Sequence, residues 1–399
     1  MRIFRKELRK IFQFRVIVLF ALFAVIFGYL FFAWQYYPGY YVNSAYDVPF
    51  YEELVAEYGA TLSKTEYQDV LKKREELIDQ VEVYIREDIV FQENDVTTYA
   101  QFQESHAKEA VTDAEMAVQE ETNRFWFRNE ATQWLLFRIQ VLDNMERDVQ
   151  FGRIYADEDA LRIYADFLNS NSYEARERLK ALFMRDEMSL LPDAVYELLN
   201  TDFFNLVILV VVCCFVLMLP YQISDRLRGI LPIAVSTKTG RRIFGKQMAA
   251  CVVTGGIVAA VLGGIYSILL AQKHVFVFWD CPLSHNPYRL WVDMTMGEYW
   301  ILCMVLLVGI SMTGALLSYF VGRLSSHYIT GLAAAIPAAV IYCAGIRFFT
   351  KYMFMIGDMY FYRSYGHSLF RTFGGLLLLA GIAVTMVMVL LRRDKERDL

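Results

Sequence analysis

Six stretches of at least 20 residues carry no Asp, Glu, Lys or Arg: 16–46, 203–224, 247–272, 299–322, 324–346 and 372–391. Each holds an apolar run long enough to cross the roughly 30 Å hydrocarbon layer as a helix, which takes about 20 residues at about 1.5 Å each. A bilayer tolerates only segments that satisfy their own backbone hydrogen bonds. The pattern therefore predicts an all-α integral membrane protein with six transmembrane helices, at 14–34, 203–221, 248–270, 299–321, 328–346 and 369–391. With 56% of the chain apolar and 21% charged, a soluble single-domain enzyme is a poor fit. Basic residues precede the first span as in a signal peptide, but its apolar run is too long and FFAWQYYPGYY contains no small-residue cleavage site, so it reads as a retained anchor.

Basic residues set the expected orientation. The tail 1–13 and the start of the first span carry Arg2, Arg5, Lys6, Arg9, Lys10 and Arg15 against Glu7 alone, and the loop 222–247 carries Arg226, Arg228, Lys238, Arg241, Arg242 and Lys246 against Asp225 alone. The positive-inside rule places both in the cytoplasm, together with the short loop 322–327 and the basic tail 392–399. Residues 35–202 then lie outside, with 35 acidic against 16 basic side chains, a formal charge of −19. Such acidity argues against nucleic-acid binding, which needs a basic face. Five of the six cysteines fall within spans, the large domain has none, and no Asn-x-Ser/Thr site occurs, which points to a bacterial plasma membrane. No paired cysteine or Cys/His spacing indicates zinc.

The external segment has helical periodicity. In YQDVLKKREELIDQVEVYI the apolar Tyr67, Val70, Leu71, Leu77, Ile78, Val81 and Ile85 recur at three- and four-residue steps, and similar spacing recurs up to DAVYELLNTDFF, which leads directly into the second span. A mainly helical extracellular domain is expected, with breaks near 169–172 and at Leu191-Pro192. Small residues concentrate in the membrane instead. The third span sets Gly255, Ala259 and Gly263 on one face and Gly256, Ala260 and Gly264 beside it, a spacing that lets helix backbones approach closely in lipid. Pro337 in the fifth span should bend its helix. The external connections 271–298 and 347–368 are rich in aromatics, as in segments at the headgroup layer.

Catalytic and ion-coupling chemistry finds little support. The expected hydrocarbon cores contain no charged residue, whereas ion-driven carriers usually need a buried carboxylate, histidine or broken-helix site. Gly240 to Gln247 matches the phosphate-binding pattern GxxxxGK[ST] except at its last position, where Gln247 replaces the Mg²⁺-binding hydroxyl, and no strand precedes it. No HExxH or GxSxG motif occurs. The external carboxylates read as a solvated helix surface.

The loop SDRLRGILPIAVSTKTGRRIFGKQ carries the most information. An acidic residue, Asp225, is followed by Gly229, a short apolar piece from Ile230 to Val235 and a basic cluster leading into the third span. A surface helix with Leu231, Ile233 and Val235 as knobs would fit a groove on a soluble protein, while Arg241, Arg242 and Lys246 would equally suit lipid phosphates. At these residues the chain resembles the permease subunits of the type-2 ABC exporter family. Those subunits have six spans, a basic amphipathic N-terminal helix, and an internal loop with a Glu, a Gly, a small apolar helix and a basic residue entering the third span. The matching positions are Asp225, Gly229, the segment with Ile230, Leu231, Ile233 and Val235, then Arg241 and Lys246. MRIFRKELRKIFQF resembles the N-terminal interface helix, and 347–368 the external re-entrant region. Asp225 stands where the family has Glu, and the domain 35–202 has no counterpart in the smallest members.

The resemblance implies a permease that catalyses nothing itself. Two such subunits, identical or homologous, would assemble in the membrane with a dimer of separate cytoplasmic ABC ATPase subunits. ATP and Mg²⁺ would be bound there and no cofactor by this chain. The cargo would be a peptide, a lipid or an antimicrobial compound. The competing expectation is a membrane-anchored sensor or scaffold whose acidic external domain binds a ligand or partner.

Overall fold

The uncharged windows fold as helices, and most of the helices overrun them. The computed structural model describes residues 2–32, 44–107, 112–128, 130–155, 157–168, 172–229, 238–284, 290–350, 354–356 and 368–396. A short helix, α1 (Arg2–Ile11), precedes the first apolar helix, α2 (Phe14–Phe32). The inserted domain follows as α3 (Ser44–Tyr58), β1 (Thr61–Leu62), α4 (Lys64–Glu87), α5 (Ile89–Glu93), α6 (Tyr99–Ala107), α7 (Asp113–Phe125), α8 (Glu130–Ile154), α9 (Glu158–Phe167), α10 (Tyr173–Phe183) and β2 (Met188–Ser189). The remaining helices are α11 (Asp193–Leu227), α12 (Lys238–Gln272), α13 (Met296–Leu324), α14 (Tyr328–Thr350) and α15 (Ser368–Glu396). Six of these, α2 and α11 to α15, are long and apolar enough to cross a membrane, so the chain is an all-α, multi-pass membrane protein.

The inserted domain builds its core from the faces that the periodicity marks out. On α4 the buried residues are Tyr67, Val70, Leu77, Val81 and Ile85, all from the expected stripe. They meet α8 through Leu135, Leu136, Ile139 and Leu142, and a cluster of three rings, Phe91, Phe102 and Phe125, closes the far end with centroids 5.4–5.7 Å apart. Ser63 starts α4 with a capping box, its hydroxyl accepting from the Glu66 N–H while Glu66 accepts from the Ser63 N–H at 2.8 Å. A feature that the helical periodicity does not indicate is the two-stranded antiparallel ribbon that pairs Thr61 with Ser189 and Leu62 with Met188, tying the two ends of the domain together. A smaller core of Leu161, Tyr164, Leu179 and Leu182 joins α9 and α10 and takes in Ile356 from the segment after α14.

The bundle is organised around α13, which packs against α11, α12, α14 and α15. Gly255 on α12 explains how closely two of these helices approach. A Cβ added there would lie 2.7 Å from the Ser311 carbonyl oxygen and 3.0 Å from the Ala315 Cβ. The Ser311 hydroxyl also donates to the Gly255 carbonyl at 2.6 Å. Packing in lipid depends on such approaches, since no hydrophobic effect drives helix association there. Gly263 packs on Met304 and Leu307, and Ala259 between them is buried. Gly256 touches only the end of Met312, while Ala260 and Gly264 lie on the exposed side of α12. Pro337 is exposed and α14 runs through it from Tyr328 to Thr350.

The domain and bundle are joined by more than chain connectivity. Pro192 starts α11, which continues without a break from the domain into the bundle over 35 residues. The loop after α12 is folded rather than splayed: Phe278, Cys281, Leu283 and Leu290 are fully buried, and the Trp279 ring lies against Gly297. Arg178 on α10 reaches this loop, donating to the Leu290 carbonyl at 3.0 Å and to both carboxylate oxygens of Asp293 at 2.6 and 3.0 Å, and Arg185 adds a second ion pair to the same carboxylate. The two guanidiniums, Arg178 first, hold the Asp293 carboxyl down to about 2. The Trp291 N–H donates to the Phe354 carbonyl, so residues 354–356 after α14 join the same platform.

Candidate functional site

The end of the bundle away from the inserted domain gathers charged and polar side chains from three helices. The α1 sequence RIFRKELRKI places Glu7 and Lys10 one turn apart, and Ile11 beside them is fully buried against the bundle. Glu7 is only 5% exposed, an unusual place for a carboxylate in a basic terminal helix. Its oxygens accept from the Tyr221 hydroxyl of α11, from the Lys10 ammonium at 3.2–3.4 Å and from the Gln247 amide of α12 at 3.4 Å.

Asp225, one turn beyond Tyr221, is drawn into the same cluster. It is 7% exposed and accepts from Gln247 Nε2 at 3.1 Å and from the Lys10 ammonium at 3.5 Å. Two carboxylates from different helices thus share one ammonium and one amide. Buried charges persist only when paired and hydrogen-bonded, so α1, α11 and α12 are held to each other by groups that none of them could bury alone. Gln247, which spoils the phosphate-binding pattern, is the donor that bridges the two acids.

A second set of contacts extends this lock to the α13–α14 connection. Arg226 donates to the Leu324 and Ser325 carbonyls at 3.2 and 3.0 Å, capping the C-terminus of α13 where the helix dipole favours a cation. Arg323, 8% exposed, stacks its guanidinium 4.0 Å from the Phe244 ring centre on α12. Gly229 ends α11: its φ of +65° is the left-handed conformation that glycine adopts without a Cβ clash, and its N–H donates to the Arg226 carbonyl at 3.0 Å. Lys246 is half-buried on α12, and Arg241 lies in the first turns of the same helix. Ile230, Leu231, Ile233 and Val235 fall outside the described residues.

The opposite end of α11 carries another buried acid. Asp202 is 1% exposed and accepts from the Tyr266 hydroxyl of α12, with Lys273 among the charges that act on it. Nearby the Tyr299 hydroxyl of α13 donates to Asn200, whose amide donates to the Tyr196 carbonyl at 3.1 Å. The charge-free windows hide both acids: Asp202 stands one residue before the second window and Asp225 one residue after it. Tyrosines inside the windows, Tyr221 and Tyr266, are the sequence signal for them, because a buried phenol usually finds a polar partner.

The fold and this arrangement define a multi-pass helical membrane protein whose N-terminal helix is latched beneath the bundle by buried charged groups. Comparison with protein-family models, with curated proteins and with solved structures finds no match to the chain.

Proposed function

We propose that the chain is the membrane-spanning permease subunit of an ATP-driven exporter in a bacterial plasma membrane, with both termini in the cytoplasm and the acidic domain outside. The observation that carries this reading is the latch of Glu7, Lys10, Tyr221, Asp225 and Gln247. It fastens α1 to the two helices that flank residues 230–237, so a load applied to that loop or to α1 reaches the bundle through packed, buried groups. A solvent-exposed linker would dissipate the same load. A cytoplasmic ABC ATPase dimer that holds ATP and Mg²⁺ would press there, and a second permease subunit, identical or homologous, would complete the path for a peptide, lipid or antimicrobial cargo. Asp225 then acts as an internal latch residue, and Ile230, Leu231, Ile233 and Val235, with Arg241 and Lys246 behind them, form the contact with the ATPase.

Co-expression with an ATP-binding cassette protein encoded beside it provides the test. The chain should co-purify with that ATPase and raise its Mg²⁺-ATP turnover. Leu231→Asp should still insert in the membrane yet lose both properties, because an unpaired carboxylate in an apolar groove costs several kcal/mol. Undiminished co-purification of Leu231→Asp would remove the docking assignment. ATP turnover indifferent to the chain would instead support a membrane-anchored sensor or scaffold.

A further inference from the structure

A cleft of about 530 Å³ opens where the start of α4, the end of α8 and the α10–β2 connection meet, with Ser284 from the segment after α12 in its wall. That volume is typical of a ligand site. The walls carry both signs of charge, Lys64, Arg153 and Arg185 against Asp148, Asp186 and Glu187. Between them lie apolar surfaces from Leu62, Leu182, Phe183, Met184 and Met188. Ser284 is 8% exposed, and among the described residues its hydroxyl has no hydrogen-bond partner although it lines the cleft. The neighbouring Ser189 hydroxyl is already committed to the Pro282 carbonyl at 2.6 Å. An unpaired buried hydroxyl is costly, and a ligand that supplies its partner removes that cost.

The lining selects among ligand classes. A phosphate-like anion would meet as many carboxylates as cations, and two of the cations are already paired, Lys64 with Asp186 and Arg185 with Asp293. An acyl chain would have to desolvate those charges. A sugar needs an open aromatic plane, whereas of the two rings in this wall Tyr67 is only 8% exposed and Phe183 is stacked on Tyr155 with centroids 5.8 Å apart and meets Tyr164 at 5.5 Å. An extended peptide meets every feature: its main-chain amides suit Ser284, and its alternating side chains suit a wall that is apolar in one part and charged in another. The two methionines are adaptable contacts of the kind used at surfaces that accept varied sequences.

We propose that this cleft binds an extended peptide segment that alternates apolar with charged side chains, the Ser284 hydroxyl bonding to its main chain. The site belongs jointly to the inserted domain and to the connection between α12 and α13, so its occupant bridges the two. The inference stands apart from coupling to an ATPase.

The full chain in lipid nanodiscs is titrated, by fluorescence polarisation, with a panel of labelled heptapeptides that alternate leucine or phenylalanine with lysine and glutamate, and with a glycine–serine heptapeptide. Saturable binding is expected for the alternating panel only. Ser284→Trp, which fills the cleft, should weaken it at least tenfold. Met184→Glu, on a side chain 61% exposed and so tolerant of change, should weaken it several-fold while leaving the melting curve in place. Absence of saturable binding across the panel overturns the proposal. So does binding that both variants leave unchanged, or full displacement by inorganic phosphate or by a decanoyl chain.

Discussion

Three glycines of α12 offer an internal calibration of helix packing. Gly255→Ala introduces a Cβ 2.7 Å from the Ser311 carbonyl oxygen, 3.0 Å from the Ala315 Cβ and 3.1 Å from the Met312 Cα, all atoms that cannot swing aside. The helices must part by several tenths of an ångström, which also stretches the 2.6 Å bond from the Ser311 hydroxyl to the Gly255 carbonyl. Overpacking of this kind costs about 1–3 kcal/mol. An interhelical hydrogen bond in a bilayer contributes about 0.6 kcal/mol on average. Gly→Ala within a helix returns roughly 0.5–1 kcal/mol of backbone entropy. The net expectation for Gly255→Ala is therefore a destabilisation of roughly 1–2 kcal/mol, combining those terms. Gly256→Ala meets only the mobile Cε of Met312 at 3.0 Å, and Gly264→Ala meets nothing within 4 Å, so neither should destabilise and the second should gain stability slightly. Reversible unfolding in mixed SDS micelles, followed by far-UV circular dichroism, ranks the three. If Gly264→Ala proved as damaging as Gly255→Ala, the close approach of α12 and α13 would not be what these glycines serve in one subunit, and the reasoning from backbone contact would fail.

The latch and the platform can each be tested separately. Lys10→Met leaves Glu7 and Asp225 without their shared cation and should cost roughly 2 kcal/mol, less than the 3–5 kcal/mol of a fully buried pair because the Lys10 side chain is 36% exposed. The double variant with Asp225→Asn should recover part of that loss in SDS unfolding, and strict additivity would break the link between them. At the platform, the Asp293 carboxyl has its pKa lowered to about 2, so its contribution is complete above the unfolded value near 3.9 and disappears as the pH falls through about 2. The melting-temperature gap between wild type and Asp293→Asn should accordingly stay constant from pH 7 to about 5 and close toward pH 2, whereas a gap that instead closed on going to high pH would contradict the ion-pair assignment.

The spans are legible because lipid imposes one rule on every residue in them, and each of the six uncharged windows contains the apolar core of one long helix. The stripe on α4 is legible for the same reason in water: Val70, Leu77, Val81 and Ile85 have to share a face. The cluster of buried acids is harder to read. Glu7 and Asp225 are 218 positions apart in the chain, each the lone acid in a basic segment, and apart from Tyr221 near Asp225 nothing in the sequence marks either as buried. Charge counting assigns both to a wet surface because basic residues surround them. Only tertiary packing reveals that Gln247, a residue read as a broken phosphate motif, donates to both of them beside Lys10. The ribbon of Thr61–Leu62 with Met188–Ser189 is two residues long on each side, too short for any periodicity to register. Its register comes from the domain closing on itself.

The unbroken course of α11 makes the inserted domain and the latch parts of a single rod. Thirty-five residues at about 1.5 Å each give roughly 52 Å, well beyond the hydrocarbon thickness, and Asp202 and Asp225 sit about 34 Å apart along it. The helix runs on through Pro220, whose missing N–H removes one backbone hydrogen bond near the latch end, and its continuity ties the angular setting of one acid to that of the other. Adding or deleting one residue between them would turn the domain by about 100° relative to the latch and shift it by about 1.5 Å along the axis. The length of this segment is thus a phase constraint: most of its side chains are fixed by the bundle core, and the number of residues from Asp202 to Asp225 cannot change without uncoupling the two ends.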